Sequence, residues 1–309
     1  MIVTVTLNTC IDRVVEVPGF AVGATLKGRA LRRQPAGKGI NVSRCLAALG
    51  HQSVASGFVG RAERPAFATE MARCGLAELL VEVNGRTRDN ITYLDPEAHT
   101  ETHVREEGFE VNQGDLARLD SALAAAVHPG DVVVFAGSVP PGLRPTDLAR
   151  LVAACRECGA RVAVDCDGEP YRHAVDARPF LIKPNIAELR DLTGLSPCSP
   201  EEAAQASSRL LDRVEIVLAS MGARGAVCTT TQQAWHARGS VDCVRSTVGC
   251  GDALLAGFLA AHEESAPLAD CLRRAVACGG ASAKHDIAGE LDRRDVQELL
   301  HRVELRRIG

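Results

Sequence analysis

Short apolar runs, each closed by Gly, Pro or Asp, recur along the chain: IVTVTL from Ile2, SVASGFV from Ser53, DVVVFAG from Asp131, RVAVD from Arg161, FLIKPN from Phe180 and VEIVLAS from Val214. They are rich in Val and Ile and do not alternate with polar residues, which predicts strands buried on both faces, as in a parallel sheet. Between them lie patterns of helical period: INVSRCLAALG after Gly39, LARLDSALAAAV after Asp115, PTDLARLVAACREC after Arg144 and EEAAQASSRLLDRV after Pro200. This alternation predicts an α/β fold built on a central, largely parallel sheet. LLAGFLAAH, LADCLRRAVACGGASA and DVQELLHRV in the last third add a helical cluster that closes the domain.

Two segments break the alternation, at about 12–34 and 85–110. Both hold short polar strand-like pieces with no helix between them, such as VVEV from Val14, NITYLD from Asn90 and ETHVRE from Glu101. They read as excursions that form a small second sheet, a lid on a single domain spanning 1–309. No internal repeat or long linker interrupts it.

Composition narrows the partners. The 309 residues are 46% hydrophobic, enough for one large core, and only 3% aromatic, so aliphatic side chains do most of the packing. With 35 basic and 39 acidic residues the net charge is −4, without the basic excess that nucleic-acid binding normally requires. The N-terminal apolar run is short and carries no basic leader, and LLAGFLAA is far too short to span a bilayer. A cytoplasmic location is the expectation. The twelve cysteines are scattered and read as reduced, mostly buried residues. Cys155 and Cys158 form one CxxC at a helix end, without a second CxxC to complete a zinc site.

Three stretches carry candidate chemistry. In STVGCGDALLAGF, Gly249 and Gly251 let backbone N–H groups converge on an anion at a helix N-terminus, and Asp252 can accept a proton from a hydroxyl. The same residues also serve as an ordinary turn and cap. In AGKGINVSRCLAALG, Gly37 and Lys38 precede a second amphipathic helix, with Asn41 on its first turn as a cap or a hydroxyl ligand. In KPNIAEL, Asn185 and Glu188 have capping-box spacing, or bring an amide and a carboxylate toward Mg²⁺. No GxxxxGK[ST] loop is present, and no GxGxxG follows the first strand, which disfavours a dinucleotide-dependent oxidoreductase.

Taken together, the motifs resemble those of the ribokinase-like PfkB carbohydrate kinases, and in particular the phosphosugar branch. The match runs nearly end to end and in order: TLNTCID from Thr6, AGKGINV from Ala36, GRTRDN from Gly85, AGSVPPGL from Ala136, KPNIAEL from Lys183, SMGARGA from Ser220 and TVGCGD from Thr247. The resemblance implies a ribokinase-like sheet with a β lid, an ATP-dependent kinase and Mg²⁺. It implies a ketohexose monophosphate as acceptor, with fructose 1-phosphate ahead of tagatose 6-phosphate and fructose 6-phosphate because of GRTRDN. It makes Asp252 the catalytic base and the amides of Gly249, Cys250 and Gly251 the anion hole. Asp12, Gly37, Lys38, Asn41, Arg88, Arg105 and Ser138 fall on the sugar-phosphate side, with Lys27 and Arg29 as weaker candidates. Lys183, Asn185, Glu188, Ser220 and Gly222 fall on the nucleotide side, Glu188 holding Mg²⁺ indirectly.

Some positions depart from the family pattern. TLNTCID lacks the usual proline, which alters a turn while keeping the carboxylate. Cys250 stands where Ala or Ser is usual and adds a position open to thiol reagents. KHDIAGE, from Lys284, lacks an expected asparagine, so no role is assigned there. A catalytically silent sugar-phosphate or nucleotide sensor on the same fold is the alternative, and an exposed lid edge offers a surface for a homodimer.

Overall fold

The computed structural model describes residues 1–309. Its main sheet has ten strands, seven of them parallel. From one edge these are β5 (Ala77–Val83), β4 (Ser53–Gly60), β1 (Ile2–Thr6), β8 (Val132–Ala136), β9 (Arg161–Asp165), β10 (Leu181–Ile182) and β11 (Ile216–Ser220). Antiparallel strands β12 (Ala226–Thr229), β13 (Ala234–Arg238) and β14 (Glu304–Arg307) extend the other edge.

Burial on both faces explains the apolar runs. In β8, Val133 and Phe135 pack into one hydrophobic cluster, and Val132, Val134 and Ala136 into the opposite one. The first cluster is completed by α3 (Gln113–Ala126), α4 (Pro145–Glu157), α5 (Gly168–Asp176), α6 (Ile186–Thr193) and α7 (Pro200–Ser208). The second is completed by α1 (Lys38–Leu49), α8 (Cys250–Glu263), α9 (Leu268–Ser282) and α10 (Arg293–Leu300). Leu116, Leu119 and Leu123 show how one stripe of α3 reaches the core. Each such buried Leu or Val contributes roughly 1.5–3 kcal/mol.

The second sheet is small, in the order β3 (Arg29–Ala36), β2 (Cys10–Glu16), β6 (Arg88–Asp95) and β7 (Thr100–Arg105). Its β2–β6 pair is parallel and the other two are antiparallel. Its roots are buried at Cys10, Ile11, Ala36 and Asp89, where it leaves the body of the molecule, and at its far end Asp95 is buried under the amides of Gly19 and Phe20. Its strands begin and end slightly outside 12–34, because β2 starts at Cys10 and β3 ends at Ala36.

Helix α2 (Arg64–Arg73), strand β5 and the antiparallel edge β12–β14 were not expected from the pattern. FLIKPN contributes only Leu181 and Ile182 to the ladder. Thr9, in the place of the usual proline, is fully buried and donates its hydroxyl to Phe58 O at 2.7 Å. The twelve cysteines are free thiols, Cys155 buried in α4 and Cys158 at its end. No helix is long and apolar enough to cross a membrane.

Candidate active site

The parallel strands β1, β8, β9, β10 and β11 end at Thr6, Ala136, Asp165, Ile182 and Ser220. The loops leaving these carboxyl ends, where open α/β sheets place their ligands, carry Ser138, Lys183, Asn185 and Gly222, and the starts of α1 and α8 are brought to the same end.

Helix α8 begins there. Gly249 has φ +82°, and a Cβ at this position would lie 2.8 Å from both Cα and Cβ of Ala288, so the turn tolerates no side chain. The amides of Gly249, Gly251 and Asp252 donate to no protein acceptor, and Cys250 N–H reaches Thr247 O only at 3.4 Å. These open donors, with the helix dipole behind them, form a cradle for negative charge. Asp252, 5% exposed, accepts a hydrogen bond on Oδ2 from Asn41 Nδ2 at 2.9 Å, and its Oδ1 has no protein partner. Burial pushes this carboxyl up to about 6. Lys38, Asn41 and Lys183 pull it down, while Asp165 adds to the rise.

Asn41 is oriented from behind. Gly37, with φ +151°, lays the start of α1 against the end of β1, where a Cβ would meet Thr6 Cγ2 at 2.5 Å. One turn beyond Asn41, Arg44 Nη1 donates to Asn41 Oδ1 at 3.4 Å, which leaves the Asn41 amide to face Asp252. Arg44 is itself buried and fixed by Glu70 of α2 at 2.6 Å and Pro35 O at 2.7 Å. A polar line thus runs Glu70, Arg44, Asn41, Asp252.

A buried ion cluster lies beside the base. Lys38 Nζ donates to Asp165 Oδ1 at 3.3 Å, and Lys183 Nζ lies 3.1 Å from Asp165 Oδ2. Asp165 is 1% exposed. Burial alone would raise its carboxyl, but Lys183 and Lys38 hold it below the ordinary carboxylate range. Lys183 Nζ is 3.3 Å from where a Gly251 Cβ would stand, so it abuts the α8 N-terminus.

Across from this cluster, Asn185 and Glu188 form the capping box of α6, with Glu188 Oε2 accepting from Asn185 N at 2.8 Å. Burial raises the Glu188 carboxyl. Asn185 pairs with Ser220 as an isolated bridge, and Gly222 opens the exposed turn Gly222–Arg224.

On the other side of α8, a cleft of about 690 Å³ separates the small sheet from the body. Asp12, Gln34, Asn90, Arg105, Val248 and Ala288 are among its walls. Asp12 Oδ1 accepts from Asn90 Nδ2 and Cys10 Sγ, both at 3.3 Å, and burial raises its carboxyl. Arg105 has no carboxylate partner. Arg88 Nη2 donates to Asn8 O and to Ser138 Oγ, both at 3.2 Å, and pairs with no acid. Arg86, by contrast, is bound to Asp89 at 2.8 Å, as is Arg13 at 3.0 Å.

Residues 3–292 match the model of the pfkB family carbohydrate kinases. The chain belongs to this family. It is therefore a kinase that uses ATP to phosphorylate a sugar, and the ribokinase-like architecture expected from the motifs is the one present. It is 37% identical over 266 residues to a 1-phosphofructokinase of Rhodobacter capsulatus, covering 84% of this chain and 83% of that one. A 1-phosphofructokinase of Bacillus subtilis is 34% identical over 309 residues, all of both chains. The crystal structure of phosphofructokinase-2 from Escherichia coli superposes with a TM-score of 0.92 at 25% identity, covering 97% of this chain and 98% of that one.

The fold gathers most of the expected kinase residues. Lys38, Asn41, Lys183, Gly251 and Asp252 meet at the α8 N-terminus, with Gly37 and Gly249 shaping the two turns. Asp12 and Arg105 face the cleft, whereas Arg88, which bonds Ser138, lines a separate hollow with Arg86 and Glu106. Arg29 is not available as a free cation, because it pairs with Glu16 at 3.0 Å. Lys27 lies exposed before β3, away from the cleft walls. The Cys250 thiol is not primed for reaction either, since burial pushes it up to about 11. Sequence reading missed Asp165, whose only signal was a carboxylate ending a buried strand. It also missed the turn at Ala288 and Gly289, which packs on Gly249 and Asn41.

Proposed function

We propose that the chain transfers the γ-phosphoryl group of ATP to a free hydroxyl of fructose 1-phosphate, giving fructose 1,6-bisphosphate, as one kinase domain. The observation that carries this reading is Asp252: a buried carboxylate with one unoccupied oxygen, set beside amides that have no acceptor. GRTRDN and the relatives named 1-phosphofructokinase support the choice of sugar.

In this mechanism Asp252 Oδ1 takes the proton of the acceptor hydroxyl, whose oxygen attacks the γ-phosphorus as the bond to ADP breaks. The amides of Gly249, Cys250 and Gly251 face the charge on the transferring group. A carboxyl near 6 is mostly ionised at neutral pH, yet basic enough to accept a proton. Asn41 fixes the carboxylate plane. Asp12 and Asn90 bind sugar hydroxyls, and Arg88 and Arg105, which no acid neutralises, hold the phosphate already on the sugar. Lys183, Asn185, Glu188, Ser220 and Gly222 line the nucleotide side, and the small sheet closes over the sugar to exclude water.

No three His, Cys, Asp or Glu side chains form a metal cage. This fits Mg²⁺, which keeps its waters and binds through few carboxylates together with substrate phosphates. Glu188, with Asn185 beside it, would hold it through water, and the ion would neutralise phosphate charge. The exposed edges β3 and β7 of the small sheet offer the surface for a homodimer.

The test is a panel of acceptors assayed with ATP. Fructose 1-phosphate is expected to give the highest kcat/KM, above tagatose 6-phosphate and fructose 6-phosphate. Equal turnover of an unphosphorylated sugar would contradict the phosphosugar reading, and binding without turnover would favour a sensor.

A further inference from the structure

Asp165 has no part in the mechanism above, yet it is among the most buried carboxylates in the molecule and stands at its chemical centre. It ends β9, while its two cations come from elsewhere in the chain: Lys38 from the first turn of α1 and Lys183 from the segment after β10. The two contacts differ. Lys38 Nζ makes a hydrogen bond to Oδ1 at 3.3 Å. Lys183 Nζ lies at ion-pair distance from Oδ2, 3.1 Å, but Oδ2 accepts no aligned hydrogen bond. An ammonium group has three N–H bonds, so Lys183 keeps donors for another acceptor while it pairs with Asp165. It is 4% exposed and abuts Gly251, beside the open amides.

Resting on the kinase reading, we propose that Asp165 is a positioning residue for phosphoryl transfer, holding the Lys38 and Lys183 ammonium groups so that Lys183 donates to the transferring phosphoryl group at the α8 N-terminus. With Asp252 ionised, the four side chains Lys38, Lys183, Asp165 and Asp252 sum to zero charge. A triphosphate arriving there meets two fixed cations, and no lysine has to be ordered at the moment of transfer. The same arrangement tunes the base. The charged or titratable groups that bear on Asp252 include Lys38 from α1, Asp165 from β9, Lys183 after β10, the thiols Cys45 and Cys250, and Arg44 of α1 behind Asn41. Among them Asp165 raises the Asp252 carboxyl, whereas Lys38 and Lys183 lower it.

The test is the pH dependence of kcat and kcat/KM for ATP-dependent phosphorylation of fructose 1-phosphate by Asp165→Asn. Two effects are expected. First, kcat falls by about 10- to 100-fold while KM for the sugar stays within about threefold. Second, the acid limb of kcat/KM moves to lower pH, since a neighbouring negative charge is gone. The limb reports the charge beside the base and the fall in kcat at steady sugar KM reports the held lysines, so an unmoved limb or an unchanged kcat overturns the proposal. If Asp165→Asn loses its near-UV circular dichroism, Lys183→Met gives the opposite reading: the limb must rise, and a limb that stays put overturns the proposal. Asp252→Asn, assayed alongside, separates the two claims. Retained activity there removes the base assignment, while the expected loss with an unmoved Asp165→Asn profile removes only the positioning role.

Discussion

At the N-terminus of α8, charge is buried and matched: Asp165 sits between Lys38 and Lys183, and Asp252 is bonded to Asn41, itself backed by Arg44 and Glu70. Around the small sheet, Arg105 faces an open cleft with no acid beside it, and Arg88 has only neutral oxygens as partners. The first region resists rearrangement, because each buried charge depends on its neighbour. The second is ready to receive an anion. On the proposed function the contrast divides the labour: the body would hold the groups placed before reaction, and the small sheet those that select the substrate.

The largest effect expected from breaking the first region is at Gly249. In Gly249→Ala, a residue forced to φ +82° also collides with Ala288, so the amide cradle is displaced. Steady-state kcat should fall on the order of 10²-fold, as when a donor to developing charge is lost. In the second region, Arg88→Ala should act differently. KM for the sugar phosphate should rise by about 10- to 100-fold, the worth of charge-assisted hydrogen bonds, with a smaller change in kcat. An equal fall in kcat would place Arg88 among the reacting groups and blur the division. The smallest effect should come from Cys250→Ala. The backbone does the binding there, and Cys250 Sγ makes only a 3.7 Å contact to Ser246 O. Activity is expected to stay within about threefold, and alkylating reagents at pH 7 should react slowly with a thiol held near 11.

The parallel core could be read from the sequence because strands buried on both faces leave continuous apolar runs, as DVVVFAG and VEIVLAS do. The edges could not. In β5 the residues are mostly half-buried, with Glu78 and Glu82 interrupting the apolar ones, and β12 to β14 are only four or five residues long. The glycine-rich starts of α1 and α8 were legible as helix N-termini because such starts are local features. Asp165 was not, because its partners lie 127 and 18 residues away, and nothing local separates it from a strand-ending aspartate. Arg86 and Arg88 look alike in GRTRDN. Only the fold shows that Asp89 neutralises Arg86 and leaves Arg88 without an acid.

The central claim is that Asp252 is the base, poised by burial. Its most direct test is kcat/KM against pH for the wild type and Asp252→Asn, with ATP and fructose 1-phosphate. The wild type should lose activity as pH falls through about 6, where the carboxylate takes up its proton. Asp252→Asn should be slower by at least about 10²-fold and show no such limb. A variant that stays within about tenfold of the wild type, with the same acid limb, would contradict the account.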